Sequence, residues 1–388
     1  MPASGMLDPA PNAAPSCGPP DGGATFAREL RRIGAAHVSG GNAVRLLRDG
    51  PAIFDEMLAL IADAGATVRL ESYIVRADEV GERFARALAD AVARGVSVRL
   101  VFDWLGSRGL PRAFVAALRR AGVEVAVYNR PALSRPWLGL VPRDHRKLLV
   151  VDGAVGVTGG VGLGHEWTRG TRGTAGARWR DTALVIRGPA ALDMERAFER
   201  SWSRATTARR LDSDASLPAA PGPVCTAPAL VGIVEGEPGR LRVARALQVQ
   251  AAHADRAIWI ADAYFMPSFS ELEALTGAAR DGVDVRLLLP GRNDHPWMVR
   301  LTRRYYRRLL ASGVRIWEWG GEMMHAKTGV VDGRLVRVGS TDFNPLGVAI
   351  NFELDAVVDD ACVGAAAEAM FLADLDASRE VHRAPAGS

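Results

Sequence analysis

Residues 145–160 read HRKLLVVDGAVGVTGG and residues 325–340 read HAKTGVVDGRLVRVGS, so one pattern occurs twice in the chain. Each copy fits H-x-K-x4-D, and in each copy six residues separate the aspartate from a pair of small residues. The lysines of the two copies, Lys147 and Lys327, are the only lysines among 48 basic residues. A chain that otherwise uses arginine but keeps lysine here indicates a need for a compact ammonium group.

The sequence around the two motifs also repeats. VRLESYIV (68–75) and RGVSVRLVFD (94–103) flank a helical pattern in the first half, as AIWIADAYFMP (257–267) and DGVDVRLLLP (281–290) do in the second. Strands that alternate with helices predict an α/β fold. We therefore predict two αβα sandwich halves with central mixed sheets, related by a pseudo-twofold axis and sharing one active site at their interface.

Shifts in composition suggest the boundaries of these halves. We predict a disordered tail over residues 1–36, which begins with a run rich in proline, glycine and alanine. The first half then covers residues 37–204, a linker covers 205–228, and the second half covers 229–388. With 48% hydrophobic residues in 388, the chain has enough apolar side chains for a large buried core.

Charge, cysteines and hydropathy restrict the partners and the location. A formal net charge of +4 with clustered arginines is typical of a surface that tolerates phosphate-rich partners, and charge alone does not separate lipid from nucleic acid. The three cysteines lie far apart and in no disulfide or zinc spacing, which favours a reducing compartment. The start lacks the pattern of a signal peptide, and no run of about 18 apolar residues occurs. Membrane contact is therefore expected to be peripheral.

The spacing within each motif places its histidine beside its lysine. Side chains at i and i+2 of an extended strand share one face, so His145 points with Lys147 and His325 points with Lys327. Two imidazoles and two ammonium groups in one cleft suit attack on a phosphodiester. One histidine would attack phosphorus and the other would protonate the departing alcohol, while the lysines stabilise the non-bridging oxygens.

Two pairs of carboxylates are expected to support this chemistry. Opposite roles for the two histidines require different surroundings, and Glu353 and Asp181 are candidates to hydrogen-bond one ring nitrogen each. Asp152 and Asp332 are each followed by glycine, so they are either catalytic residues or residues of a two-residue hairpin turn. The sequence leaves both interpretations open.

Strand ends supply two more candidates. Glu71 and Asp103 fall at the ends of predicted strands, and strand ends in α/β sheets often face the ligand. No carboxylate cluster that could hold magnesium or a metal pair lies near the motifs. We therefore expect no cofactor and metal-free chemistry.

The paired H-x-K-x4-D motifs resemble the signature of the phospholipase D superfamily, and the resemblance covers both halves. The segments that resemble bacterial cardiolipin synthases of the short type, without amino-terminal membrane helices, are Glu71-Ser-Tyr73-Ile, Arg94-Gly95-Val, Phe102-Asp103-Trp-Leu-Gly106-Ser, Tyr264-Phe265-Met-Pro267 and Gly339-Ser340-Thr. The resemblance implies transfer of a phosphatidyl group from one phospholipid, through a phosphohistidine, to the headgroup hydroxyl of phosphatidylglycerol or a similar acceptor. It implies that His145 is the nucleophile and His325 the general acid and then the base, although the motifs are alike and swapped roles stay open.

The chain departs from the family pattern after each small pair, where an asparagine usually follows. Gly162 and Asp342 stand at those positions, and an ionised Asp342 would repel phosphate. Ser340 belongs to the second small pair, and Asn344, two residues beyond Asp342, is a candidate to replace the missing amide.

Other functions fit part of the pattern. A phosphodiesterase that uses water as acceptor, either a lipid hydrolase or a nuclease, is the alternative enzyme, and a binding module with degraded chemistry is a third reading. The arginines of residues 300–308 fit either lipid phosphate or a solvated helix face, and Trp137, Leu138 and Leu140 fit a wedge into a membrane surface. The prediction is a phosphatidyltransferase at the cytoplasmic side of a bacterial membrane, with phospholipid substrates and no nucleic acid.

Overall fold

The computed structural model describes residues 22–130, 142–169, 178–206 and 229–382. The elements of the first half, in chain order, are α1 (Gly22–Ile33), β1 (His37–Arg48), α2 (Gly50–Ala62), β2 (Thr67–Ser72), α3 (Glu79–Ala93), β3 (Ser97–Asp103), α4 (Arg112–Arg120), β4 (Glu124–Tyr128), β5 (Leu148–Val151), β6 (Val155–Gly159), β7 (Thr182–Arg187) and α5 (Pro189–Thr206). A 3₁₀ turn at His165–Trp167 lies between β6 and β7.

The second half repeats this order. Its elements are β8 (Ala229–Gly236), α6 (Arg242–Ala252), β9 (Ala257–Ala261), α7 (Phe269–Arg280), β10 (Asp284–Pro290), α8 (Pro296–Arg303), α9 (Tyr306–Ala311), β11 (Arg315–Trp319), β12 (Thr328–Val331), β13 (Leu335–Gly339), β14 (Glu353–Asp359), α10 (Ala361–Asp376) and β15 (Ser378–Glu380). A π-helical turn at Leu346–Ile350 precedes β14.

The strands form one mixed sheet in the order β15-β11-β10-β9-β12-β13-β14-β8-β1-β7-β6-β5-β2-β3-β4. Apart from β15, this order reads the same from either side of the β8–β1 pair, with each strand of one half matching a strand of the other. The predicted α/β fold with a large mixed sheet is confirmed. The two sheets expected for the two halves are joined, because β1 pairs antiparallel with β8 and also with β7.

The motif strands are short and fully buried. All four residues of β5 (LLVV) and all four of β12 (TGVV) are buried, as expected for central strands. Three residues join each motif strand to the next strand, and the first two of them, Asp152-Gly153 and Asp332-Gly333, have φ between 52° and 64°. Two successive positive φ angles are typical of a type I′ turn, which matches the twist of a hairpin. Each H-x-K segment therefore leads into a rigid central hairpin.

The predicted tail needs a correction over its last part. Residues 22–33 form α1, and Phe26 and Leu30 on this helix are buried in the core of the second half. The tail composition concealed a short amphipathic pattern in which Phe26, Ala27 and Leu30 share one face. Residues 1–21, most of the predicted linker (207–228) and the predicted wedge with Trp137, Leu138 and Leu140 lie outside the described residues.

Among the residues that the structure describes, none of the helices combines the length and the apolar composition that a membrane span requires.

Candidate active site

The two motif histidines are each held by a carboxylate from the opposite half. Nδ1 of His145 lies 3.0 Å from both carboxylate oxygens of Glu353. Nδ1 of His325 lies 2.8 Å from Oδ2 of Asp181. Both acids were predicted as ring partners, and the structure shows that each half supplies the partner for the other half's histidine.

Two isolated parallel β-bridges between the halves bring each histidine beside the carboxylate of the opposite half. The backbone N–H of His145 donates to the carbonyl of Phe352 over 2.9 Å, and that of His325 donates to the carbonyl of Arg180 over 2.8 Å. Each histidine segment therefore runs parallel to the segment that carries its carboxylate. Backbone pairing fixes the ring and its acid in register without help from long side chains.

Both histidines open onto one cleft of about 370 Å³ between the halves. The cleft is lined by Tyr73, Ile74, Leu105, Arg143, His145, Lys147, Trp179, Tyr264, Met266, Asp294, His295, Trp297, Met298, His325, Asp342, Asn344, Leu346, Gly347, Asn351 and Glu353. Apolar and aromatic side chains form much of its lining, together with cationic, imidazole and carboxylate groups. Such a cleft fits a ligand that joins an apolar body to a phosphate.

The two lysines are anchored in the same way. Nζ of Lys147 donates to the carbonyl of His145 over 2.6 Å, and Nζ of Lys327 donates to the carbonyl of His325 over 2.6 Å. Each ammonium also lies about 5.5 Å from the centre of a tyrosine ring, Tyr73 for Lys147 and Tyr264 for Lys327. The two tyrosines occupy equivalent places after β2 and β9, so the site repeats at the level of single contacts.

Burial shifts the protonation of the first histidine pair. Burial, followed by Lys147 and Lys327, holds the pKa of His145 well below its usual value. Burial raises the pKa of Glu353 well above its usual value, against the opposing effect of Lys147. A neutral imidazole is therefore favoured at position 145, with Nδ1 engaged by Glu353.

The second pair differs in the state of its acid. Burial opposes ionisation of Asp181, but His325 and Lys327 hold its pKa below the usual value. Its carboxylate also accepts from the indole Nε1 of Trp167 and from the backbone N–H of Thr182, each over 2.8 Å. Burial and then Lys327 lower the pKa of His325, while Asp181 opposes that shift. An ionised acid beside His325 stabilises the imidazolium form, which a proton donor needs.

Burial also affects Lys147. It lowers the pKa of this lysine to about 7, and Glu353 opposes that shift. The ammonium of Lys147 is therefore lost as pH rises through that value. Nζ of Lys327 lies 3.4 Å from Oδ1 of Asp342, so this ammonium faces a carboxylate.

Asp152 and Asp332 hold the hairpins and do not line the cleft. The carboxylate of Asp152 accepts from the backbone N–H groups of residues 65–67 at 2.6–2.9 Å, and that of Asp332 accepts from residues 255–257 at 2.7–2.9 Å. Each aspartate lies at the far end of its strand, about 16 Å from the cleft at the usual rise per residue. These contacts favour the hairpin interpretation over the catalytic one, because neither carboxylate is among the groups that line the cleft.

The two strand-end acids lie behind the cleft wall. Oδ2 of Asp103 accepts from Nε and Nη2 of Arg143 at 2.9 and 2.8 Å, so Asp103 orients a cleft residue. Glu71 is buried beside Asp144, and burial followed by Asp144 raises its pKa well above the usual value. Neither acid lines the cleft, in contrast to the expectation from their positions at strand ends.

Ser340 and Asn344 support neighbouring groups. The hydroxyl of Ser340 donates to Oε2 of Glu353 and thereby helps to fix the acid that holds His145. Asn344 lines the cleft, but its Nδ2 donates to the carbonyl of Tyr264 and its Oδ1 accepts from the backbone N–H groups of Leu346 and Gly347. Its polar atoms are therefore engaged in shaping the loop.

The two departures from the family pattern have local physical reasons. A Cβ atom at Gly162 would lie 2.8 Å from Cβ of Ile74 and 2.9 Å from the indole of Trp167, so this position admits no side chain. Trp167 occupies the space and donates to Asp181. Asp342 faces Lys327, which compensates its charge and weakens the predicted repulsion of phosphate.

Sequence reasoning missed one cationic cleft residue. Arg143 lines the cleft and lies two residues before His145. The alternation of Arg143, His145 and Lys147 on one face of an extended chain is a signal that could have identified it.

One group of possible metal ligands lies outside the cleft. Ligand atoms of Asp78, His165 and Glu166 lie within 4.8 Å of one another. Most of these atoms already have protein partners. Asp78 Oδ2 contacts the ring and the backbone N–H of His165, and Oε1 of Glu166 is paired with Arg76 at 3.0 Å.

The chain resembles known proteins in sequence. Residues 57–202 and 247–375 match the family model "Cardiolipin synthase, PLD-like domain". The chain is 36% identical over 329 residues to a cardiolipin synthase of Geobacillus kaustophilus, covering 84% of this chain and 64% of that protein. It is 32% identical over 336 residues to one of Listeria monocytogenes, covering 86% and 69%.

The fold also matches solved structures at low identity. Phosphatidylserine synthase of Haemophilus influenzae superposes with a TM-score of 0.68 at 12% identity and covers 92% of both chains. Polyphosphate kinase of Porphyromonas gingivalis gives a TM-score of 0.58 at 13% identity and covers 97% of this chain and 52% of that one. The present chain spans just under two thirds of the length of the Geobacillus relative. The family match over most of its residues nevertheless confirms the resemblance, and the chain belongs to the cardiolipin synthase family with a phospholipase D-like domain.

Proposed function

We propose that the protein is a phosphatidyltransferase of the cardiolipin synthase type. The observation that carries the proposal is the reciprocal pairing of His145 with Glu353 and of His325 with Asp181 around one cleft. The curated relatives are named cardiolipin synthases, which supports the same reaction class for this chain. Phosphatidylglycerol or a similar phospholipid is the proposed substrate.

In the first step, Nε2 of His145 attacks phosphorus of the donor lipid. An N–P bond forms as the P–O bond to the headgroup alcohol breaks, and His325 gives its proton to the departing oxygen. The difference between the two pairs supports this assignment. Burial lowers the pKa of both histidines, but the pKa of His145 is held well below its usual value, whereas Asp181 opposes the shift at His325. Glu353 holds the Nδ1 side of the attacking ring.

In the second step, the hydroxyl of the acceptor lipid attacks the same phosphorus. His325, now neutral, takes the hydroxyl proton, a new P–O bond forms and the N–P bond to His145 breaks. Lys147 and Lys327 stabilise the negative charge on the non-bridging oxygens in both steps. Arg143, which Asp103 orients, adds a third positive group at the wall of the cleft.

We further propose that the protein works on the cytoplasmic surface of a bacterial membrane without spanning it. Both substrates of the proposed reaction are bilayer lipids, so the cleft must reach them at the surface. The mixed apolar and cationic lining of the cleft supports lipid over nucleic acid as the ligand.

Incubation of purified protein with phosphatidylglycerol in mixed micelles tests the proposal. We expect release of glycerol and formation of a dimeric phospholipid, both absent for His145→Ala and His325→Ala. Release of phosphatidic acid in place of the dimeric lipid would support the hydrolase alternative. Binding of lipid without turnover would support a module that has lost its chemistry.

A further inference from the structure

Large apolar side chains are exposed at a few places on the described surface. They are Ile33, Leu241, Phe269, Trp297, Leu346 and Leu372. Four of these six follow the ends of strands of the second half: Leu241 follows β8, Phe269 follows β9, Trp297 follows β10 and Leu346 follows β13.

These four strands run in the same direction. β9 and β10 are parallel. β12 lies between β9 and β13 and is antiparallel to both, so β9 and β13 run in the same direction. β14 is antiparallel to both β13 and β8, so these two strands also run in the same direction. Their carboxyl ends therefore lie along one edge of the sheet, where the antiparallel strands β12 and β14 begin. His325, Lys327 and Glu353 lie at these strand starts, so the four exposed apolar residues share an edge with the candidate active site.

The four loops that carry these residues are tied together by hydrogen bonds. The bonds run from Asn293 Nδ2 to Ala263 O over 3.0 Å, from Asn344 Nδ2 to Tyr264 O over 3.0 Å and from Gly239 N to Ala349 O over 2.8 Å. The loops after β8, β9, β10 and β13 thus form one connected surface, which we call the loop edge. Ile33 and Leu372 lie on α1 and α10, outside it.

The loop edge surrounds part of the cleft mouth. Trp297 and Leu346 line the cleft, and their exposed fractions are 56% and 50%. Phe269, at 72%, and Leu241, at 42%, extend the apolar surface beyond the cleft. Each of the four side chains keeps 42–72% of its surface exposed, and transfer of that apolar surface out of water would be favourable.

Positive charge accompanies this apolar surface. Arg292 lies two residues after the end of β10 and Arg300 lies on α8. Both are exposed, and neither forms an ion pair with any residue in the described ranges. Arg303 and Arg308, by contrast, are paired with Glu318 and Glu273. Apolar side chains with unpaired arginines around them complement the headgroups and the upper acyl region of an anionic bilayer.

We infer that the loop edge is the surface by which this protein docks on an anionic phospholipid membrane, with Leu241, Phe269, Trp297 and Leu346 entering the headgroup region. The inference rests on the proposed function, because it supplies the route by which membrane lipids reach the cleft. Docking by this edge turns the cleft mouth toward the bilayer. A lipid headgroup then enters the cleft while its acyl chains stay in the apolar layer.

Vesicle sedimentation with the double variant Leu241→Ser/Phe269→Ser tests the inference, because neither residue lines the cleft. Ile33→Ser/Leu372→Ser is the control, since those apolar side chains are also exposed, to 44% and 42%, but lie outside the loop edge. With vesicles of phosphatidylglycerol and phosphatidylcholine, we expect the loop-edge variant to bind about tenfold more weakly than the unchanged protein. The control should bind as the unchanged protein does, and binding should weaken as salt increases.

A second readout separates this inference from the proposed function. Turnover of short-chain phosphatidylglycerol, presented as monomers, should be equal in the loop-edge variant and the unchanged protein. Absence of turnover in both, with a loss of vesicle binding in the loop-edge variant alone, would overturn the proposed function and leave the docking surface standing. Equal vesicle binding by both double variants would overturn the docking surface. So would a dimer in solution that the loop-edge variant dissociates while its vesicle binding stays unchanged.

Discussion

At the scale of single residues, the two lysines show why a lysine-poor chain keeps an ammonium at these positions. Each Nζ sits 2.6 Å from the carbonyl of its own motif histidine, which draws the charge back toward the base of the cleft. The sequence predicted a compact cation there, and the contacts show a physical reason. A guanidinium is longer and planar, so it cannot place its charge at the same point.

Replacement of either lysine by arginine tests this explanation. Lys147→Arg and Lys327→Arg should each lower kcat about 100-fold, the usual effect of removing one donor that stabilises transition-state charge. Circular dichroism and thermal unfolding should show that both variants are folded. Near-normal kcat in both folded variants would show that any positive charge suffices.

The lowered pKa of Lys147 predicts a pH dependence of activity. Phosphate binding needs the protonated ammonium, and burial lowers its pKa to about 7, so the protonated fraction falls as pH rises through that value. We expect kcat/KM, which reports the free enzyme, to fall above about pH 7. Bound phosphate favours the ammonium form, so kcat should fall at a higher pH than kcat/KM. A kcat/KM that stays level between about pH 7 and about pH 9 would contradict the assignment of Lys147.

At the scale of structural elements, each central hairpin has the proposed reacting groups at its cleft end and an aspartate that positions the strand at its turn end. The sequence left Asp152 and Asp332 undecided because an Asp-Gly pair satisfies both readings. Three backbone N–H groups surround each carboxylate, at the end of the hairpin away from the cleft. These acids connect the hairpin to the loop before β2 or β9 and so hold the motif strand in its place.

Isosteric replacement should therefore reduce stability more than catalysis. Asp152→Asn and Asp332→Asn keep the positive φ that asparagine tolerates, but each places an NH₂ group against backbone donors. We expect each change to lower the free energy of unfolding by about 1–2 kcal/mol, measured in urea, with kcat within about twofold of normal. A large loss of kcat without a loss of stability would restore the catalytic interpretation.

At the scale of the whole molecule, the repeat predicted from the two motifs extends to the strand order. The sequence did not predict that each histidine would pair with the carboxylate of the opposite half. Glu353 and Asp181 could be identified as candidates because they occupy matching places after their motifs. Their assignment to opposite histidines depends on pairing between segments that lie 208 and 144 residues apart. Such long-range register is set by packing of the two halves, which local spacing does not encode. Local composition also misled the prediction for residues 22–33, because α1 lies within a tail that begins with a run rich in proline, glycine and alanine.

A site completed within one chain predicts a specific result when chains are mixed. His145→Ala and His325→Ala should each be inactive, and a mixture of the two should stay inactive, because both motifs of one chain are needed in one cleft. The activity assay on phosphatidylglycerol measures this, with each variant alone as the control. Recovered activity in the mixture would mean that the motifs of different chains combine.

In the proposed mechanism, His145 forms the covalent bond to phosphorus, and His325 first donates a proton to the leaving group and then accepts one from the acceptor. Mass spectrometry of protein treated with a phosphatidyl donor that carries a nitrophenolate leaving group tests it most directly, because that group departs without a proton. Without a base to activate the acceptor, His325→Ala should accumulate a phosphatidyl adduct on the peptide that contains His145. His145→Ala should show none. An adduct on His325 in the His145→Ala variant, or no adduct in His325→Ala, would contradict the account.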